Sequence, residues 1–262
     1  MRPKVPVEAL SLLGRTVVIA YGCGTDSTAM VVDLVNKGAH PPAALLFADT
    51  GGERLRTYLY LEVFDDWLKA HGWPYITVVQ KHGNRRTLEQ DCLIKNMLPS
   101  VAYGYKTCSH KFKIEPQEKW CNNNSECRTA WKAGEKVIKL IGYGKNELHR
   151  VKVLEDKKYE YRYPNLDNGI DKEGAQRLIR AAGLPLPGKS ACFFCPNSTK
   201  AEIEDLRRQE PEALSRALAL EANARLTKIK GLGRRFSWRD FVAGLPTPDD
   251  DPETGVCGCV SL

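Results

Sequence analysis

Two hydrophobic periods take turns along the first half of this chain. Val17-Val18-Ile19-Ala20 is a short, β-branched, uninterrupted apolar run, the pattern of a strand buried on both faces. The polar, glycine-bearing segment Tyr21-Gly22-Cys23-Gly24-Thr25-Asp26-Ser27-Thr28 follows it. Behind that segment Met30, Val31, Leu34 and Val35 recur at helical spacing, with Asp26 or Ser27 as the expected cap. A second apolar run, Ala43 to Ala48, ends in Asp49-Thr50-Gly51-Gly52. It leads into an amphipathic segment from Glu53 to His71, with Leu59, Leu61, Val63, Phe64, Trp67 and Leu68 expected on its buried side. Pro74–Gln80 and Val137–Ile141 read as a third and a fourth strand. This alternation predicts an α/β fold, a doubly wound and mainly parallel sheet with helices on both faces. Ligands of such sheets collect at the carboxyl ends of the strands, and both glycine segments fall at such ends.

The period changes after Tyr163. A helix over Asp171–Ala182 is stopped by Gly183-Leu184-Pro185, and helical stretches follow at Thr199–Gln209 and Glu212–Leu226. From Lys228 the chain is basic and loop-like, then acidic at Asp249-Asp250-Asp251-Pro252, a linker to a mobile tail. The expected organisation is a nucleotide-binding α/β domain over residues 1–185 and a mainly helical, cysteine-containing appendage over residues 186–262.

Composition narrows the function classes. With 262 residues, 42% hydrophobic and 27% charged, the chain has the make-up of a soluble globular protein. No apolar run approaches the roughly 20 residues of a membrane span, and no signal-like core follows Met1-Arg2-Pro3-Lys4. A cytoplasmic protein without a membrane partner is expected, and a homodimer is compatible with this. The net charge of +7 permits a polyanionic partner. Its densest patch is Arg225, Lys228, Lys230, Arg234, Arg235 and Arg239, interleaved with Phe236 and Trp238. Cations among aromatics suit nucleic-acid phosphates and stacked bases, and equally a nucleotide substrate or a solvated helix end. Nine cysteines in a reducing compartment read as metal ligands or redox groups before disulfides.

A strand, a glycine turn and a helix start place bare N–H groups where the helix dipole favours an anion, and phosphate is the natural guest. The turn is no Walker loop, because no lysine follows the last glycine. With Asp49–Gly51 at the second strand end, the chain resembles the phosphoadenosine-phosphosulfate reductase family of the adenine-nucleotide α-hydrolase-like (PP-loop) superfamily, whose loop is often written S-G-G-x-D-S. Gly22, Gly24, Asp26, Ser27 and Thr28, with Tyr21 before them, match the pyrophosphate loop. Phe47-Ala48-Asp49-Thr50-Gly51 matches the segment that contacts adenosine, and Gly142, Glu147 and Arg150 resemble the residues that close over the nucleotide. Gly22 stands where the usual serine would be, and Cys23 where the middle glycine would be.

The resemblance implies ATP and Mg2+ as ligands. It also offers two chemistries. Sulfonucleotide reductases tend to lose the Asp-Ser pair. ATP pyrophosphatases keep it, adenylate a substrate oxygen, and release pyrophosphate. Retention of Asp26-Ser27 favours the second. A thiol-dependent reductase of adenylyl sulfate or its 3′-phosphorylated form is the rival, and a non-catalytic nucleotide-binding component of a nucleic-acid-modifying assembly is another.

Two cysteine segments bear on sulfur. Cys192-x-x-Cys195-Pro196 is a two-ligand hairpin or a redox dithiol. Cys108-Ser109-His110-Lys111-Phe112-Lys113-Ile114-Glu115-Pro116 resembles the C-C-x-x-R-K-V-x-P stretch of iron–sulfur adenylyl-sulfate reductases, with Ser109 in place of the second cysteine. Cys108, Cys192 and Cys195 are thus expected to hold a [4Fe–4S] cluster with one iron open to a hydrosulfide from a sulfur donor. Zinc is the alternative, completed by His110, Cys257 or Cys259. In Cys257-Gly258-Cys259 the tail carries candidate catalytic thiols that would carry persulfide or close the metal site. Cys92 reads as packing, and Cys121 and Cys127 as free thiols on a helix–loop.

Overall fold

The computed structural model describes residues 12, 14–81, 86–151 and 156–247, without the side chains of Asn146, His149 and Arg150. Cys257, Cys259, the Asp249–Pro252 linker and the Arg150 side chain therefore lie outside the described residues. Five strands, β1 (Val17–Ala20), β2 (Ala44–Asp49), β3 (Ile76–Gln80), β4 (Val137–Ile141) and β5 (Tyr159–Arg162), form a parallel sheet in the order β3-β2-β1-β4-β5. Ala20 pairs with Leu46 on one side and with Ile141 on the other. The order reverses between β1 and β4, so the crevice at their carboxyl ends is the topological switch point where open α/β sheets bind ligands. The expected α/β architecture is present. Strand β5 was not expected; its Tyr-Glu-Tyr-Arg alternation belongs to a half-exposed edge strand and is too short to stand out.

The principal helices are α1 (Thr25–Asn36), α2 (Leu55–Ala70), α3 (Leu88–Lys95), α4 (Glu115–Asn123), α5 (Ser125–Lys132), α6 (Lys172–Ala181), α7 (Lys200–Gln209), α8 (Pro211–Asn223) and α9 (Trp238–Val242). None of the described helices is long and apolar enough to cross a membrane. The described residues gather into two compact units. The first takes its residues from Met1–Ala48, Arg56–Val79 and Gln117–Ser190, the second from Asp49–Leu55, Gln80–Pro116 and Ala191–Leu262.

In the first unit both sheet faces are covered, which explains the uninterrupted apolar strands. Val17 and Ile19 pack with Met30 and Leu34 of α1, Phe64 and Leu68 of α2, and Ile179 of α6. Val18 points the other way, into a cluster with Leu46, Val137, Cys121, Cys127 and Ala130. Cys121 and Cys127 are therefore core residues rather than thiols of an open loop. A hydrogen bond from Cys127 lowers the Cys121 thiol against the opposing effect of burial. Lys139, on central strand β4, is as buried as its neighbours and pairs with Glu118 at 3.0 Å. In α2 the core row is Tyr60, Leu61, Phe64 and Leu68, whereas Leu59 and Val63 are exposed, contrary to expectation. The segment carries two apolar rows at helical spacing, and the aromatic one, stacked from Tyr21 through Phe64 to Trp67, fills the core.

The second unit packs Leu88, Leu98, Phe112, Phe194, Leu206, Leu220 and Trp238 into a core of its own. Arg54 is tied to Asp205 at 2.9 Å and to Glu210 at 2.7 Å. Glu221 of α8 is buried and accepts from the backbone N–H groups of Leu232, Trp238 and Arg239 and from Ser237 Oγ, at 2.6–3.1 Å. These bonds hold the basic segment 228–239 in place. They also turn Phe236 and Trp238 inward, so the expected aromatic platform of that patch is core instead.

Candidate phosphate-binding turn and three-thiol cavity

In the first unit, β1 ends at Ala20 and α1 begins at Thr25, so the intervening turn presents a helix N-terminus at the switch point. The cap is Gly24, in extended backbone, rather than Asp26 or Ser27. Thr28 N–H already donates to Gly24 O at 3.0 Å, and Ser27 Oγ is in reach of both the N–H and the carbonyl of Gly24. A glycine cap places no side chain of its own over the first N–H groups, the donors an anion would use. Thr28 is fully buried with its hydroxyl 3.0 Å from Tyr21 Oη, and burial pushes the Tyr21 phenol far above its usual range. Both residues brace the turn from below.

The loop after β4 closes on the same turn. A Cβ on Gly142 would stand 2.6 Å from Ser27 Cα, 2.8 Å from Ser27 N and 2.9 Å from Asp26 O. Only glycine lets the two backbones touch here. The Asp26 carbonyl also accepts from Asn165 Nδ2 at 2.8 Å. Gly144 lies beside the Asp26 carboxylate, and its N–H donates to Glu147 Oε2 at 3.4 Å. Tyr21, Gly22, Gly24, Asp26, Ser27, Thr28, Gly142 and Glu147 are thus brought together within one unit.

Cys23 has φ 54, a left-handed conformation that a non-glycine residue adopts at a cost of roughly 1–2 kcal/mol. Its thiol is buried and donates to Thr57 O at 3.6 Å, turned into the core and away from the N–H groups of the turn. Cys23→Gly should relieve the strain and lose a similar amount through the extra backbone freedom of glycine and the vacated core volume. We expect a urea-unfolding free energy within about 1 kcal/mol of the parent.

The second unit carries the other candidates. Asp49 Oδ1 accepts from Gly51 N–H at 2.8 Å, while its Oδ2 accepts from Gln80 Nε2 at 2.8 Å. Gly51 has φ 71, and a Cβ there would strike the Thr87 side chain at 2.3 Å. Thr50 Oγ1 lies 3.2 Å from Cys192 Sγ. Cys108 and, 84 positions further on, Cys192 with Cys195 line one cavity of about 30 Å³ together with Thr50, Ser109 and Lys113. Cys192 and Cys195 share a tight turn in which Cys195 N–H donates to Cys192 O at 3.0 Å. Cys108 precedes a π-helical turn, His110–Ile114, a feature frequent at functional sites.

Three thiols on one cavity fit a thiophilic metal by donor chemistry. As the side chains stand, however, no group of three or more His, Cys, Asp or Glu residues among the described residues is placed to hold an ion. His110 is not among the residues lining this cavity, and its Nδ1 lies 3.1 Å from Glu115 Oε1. Sequence reasoning missed Glu53. Its side chain is wholly buried, 3.4 Å from Lys113 Nζ and 4.0 Å from Cys192 Sγ, and its Oε2 has no hydrogen-bond partner among the described residues. An acidic residue leading an amphipathic helix looks like an ordinary solvated start, and no local pattern marked it.

No family model and no curated relative matches the chain. Among solved structures, the U34-tRNA thiolase NcsA from Methanococcus maripaludis, determined with its [4Fe-4S] cluster, matches over 91% of this chain and 84% of that one, with a TM-score of 0.42 and 14% identity. Identity this low leaves the chemistry to the residues themselves.

Proposed function

We propose that this chain is a PP-loop enzyme that binds ATP with Mg2+, adenylates an oxygen of a second substrate, and delivers sulfur to the activated position. The observation that carries this reading is the Gly22–Thr28 turn at the switch point, capped by a glycine and packed backbone-to-backbone against Gly142. In the adenylation step the substrate oxygen attacks the α-phosphorus, a new P–O bond forms, and pyrophosphate leaves. A sulfur nucleophile then displaces AMP, so no external oxidant or reductant is consumed.

The N–H groups at the start of α1 would hold the pyrophosphate, and the Asp26 carboxylate, which lies beside Gly144, would take part in metal–phosphate binding. Asp49, Thr50, Gly51, Glu147 and Arg150 are assigned to the nucleotide by resemblance. Cys108, Cys192 and Cys195 would hold the thiophilic group, which when bound supplies an open coordination site for hydrosulfide. Cys257 and Cys259 remain candidates for relaying sulfur. A reducing cytoplasm suits such thiols.

The test is release of AMP and pyrophosphate from ATP by the anaerobically purified full chain. Stoichiometric AMP and pyrophosphate support the reading. Sulfite release from an adenylyl sulfate, with ATP left intact, would replace it with the reductase.

A further inference from the structure

The second unit contains a cavity of about 890 Å³ that the nucleotide and sulfur chemistry leaves unassigned. That volume is at the upper end of the ~300–1,000 Å³ typical of small-molecule sites. Three separate stretches build it: α3 and the turn after it, the segment 97–112, and the basic segment 228–235. Five cations line it, Lys95, Lys111, Lys228, Arg234 and Arg235, against one carboxylate, Asp91. Asp91 is already paired with Lys95 at 2.6 Å. Lys111, Lys228 and Arg235 are exposed. Arg234 is held in its left-handed conformation at φ 61, with its guanidinium on Asn197 at 2.6 Å. The floor is apolar, with Leu88, Leu98 and Phe112, and Tyr105 stands 68% exposed on the wall.

One side chain belongs to two cavities. Cys108 lines this space and also the three-thiol cavity with Cys192 and Cys195. A group seated in the large cavity would therefore lie against the thiol site.

We propose that this cavity is the acceptor subsite and that its occupant is a single-stranded nucleic acid, with one unstacked base on the apolar floor and its flanking phosphates on the cationic rim. The chemistry points there in three ways. Cations from three stretches exceed what one phosphate needs, and they suit a backbone running across the mouth. An exposed tyrosine offers a π-face to a base of any sequence. The apolar floor gives a planar base a place to leave water. Tyr105 thereby takes the stacking role expected of Phe236 and Trp238, which face the core. This inference rests on the sulfur-transfer reading for its purpose, but not for its test.

The test is fluorescence anisotropy with fluorescein-labelled, mixed-sequence RNA and DNA dodecamers, run on the full chain alongside ATP cleavage. Wild type should bind a dodecamer, with affinity falling steeply as salt rises. Lys111→Glu/Lys228→Glu should weaken binding at least tenfold, and its salt slope should flatten by about 0.7 for each phosphate no longer neutralised. Tyr105→Ala should lose about fivefold or more. Bound strand should also slow alkylation of Cys108, read by peptide mass mapping. Thermal melts matching the parent's are the check that these surface variants are folded. Strand binding that the variants leave unchanged, or binding of free mononucleotides without strand binding, overturns the proposal. Loss of the ATP reaction in wild type overturns the enzymatic reading instead, so the two failures are distinguishable.

Discussion

Gly142→Ala is expected to reduce AMP and pyrophosphate formation at least tenfold. The new methyl group would meet Ser27 Cα, Ser27 N and Asp26 O, all backbone atoms, at 2.6–2.9 Å. None can yield by a rotamer change. Asp26 O is held by Asn165, and Ser27 sits in the first turn of α1, whose N–H groups are the proposed phosphate donors. Overpacking of this kind costs about 1–3 kcal/mol, and an ångström of misplacement near the reacting atoms costs on the order of a hundredfold in rate. Gly144→Ala is the comparison. Its methyl would meet only the Asp26 carboxylate, at 3.0 Å, which can turn away at smaller cost. Turnover by Gly142→Ala equal to the parent, with an unchanged melt, would show that the turn does not hold the reacting phosphates.

On the proposed sulfur-transfer reading, removal of any one of Cys108, Cys192 or Cys195 is expected to abolish metal binding. Anaerobic preparations should contain iron and acid-labile sulfide, or zinc under the alternative, and each Cys→Ala change should lower that content at least tenfold. The three side chains line one cavity, two from the Cys192–Cys195 turn and one from Cys108, so each change would leave two thiols to hold the ion. Cys92→Ala is the control. That thiol is buried in a different place on α3, and burial, chiefly, pushes it up to about 12, so it stays protonated at neutral pH. A parent protein free of metal and sulfide after anaerobic purification would remove the sulfur-transfer half of the reading and leave the ATP half standing.

Much of the fold was legible because burial on both faces leaves a plain mark. Val17–Ala20, Ala44–Ala48 and Val137–Ile141 contain almost nothing but apolar residues, and Lys139 is the instructive exception, tolerated through Glu118. The turn at Gly22–Thr28 was legible for a similar reason, since its chemistry is local. Other features depend on choices that no single segment contains. Leu59 and Val63 yielded the core to the Tyr60–Phe64 row only because that row stacks on Tyr21 and Trp67. The left-handed Cys23 hides its strain behind an ordinary side chain, where a glycine would have announced the turn. Glu53 gains its meaning from Lys113 and Cys192, 60 and 139 positions further on. Trp238 and Phe236 looked like a stacking surface because a basic neighbourhood says nothing about which way an aromatic ring turns.

The attachment of the basic segment to Glu221 has a consequence for how this protein could change over evolutionary time. Three of its four bonds to that carboxylate come from main-chain N–H groups, which every residue except proline supplies. The identities of Lys228, Lys230 and Arg235 are therefore decoupled from the fastening. Drift or engineering is free to redraw the charges along that rim, and with them the molecules it attracts, while the loop keeps its course and the core of the second unit is left undisturbed.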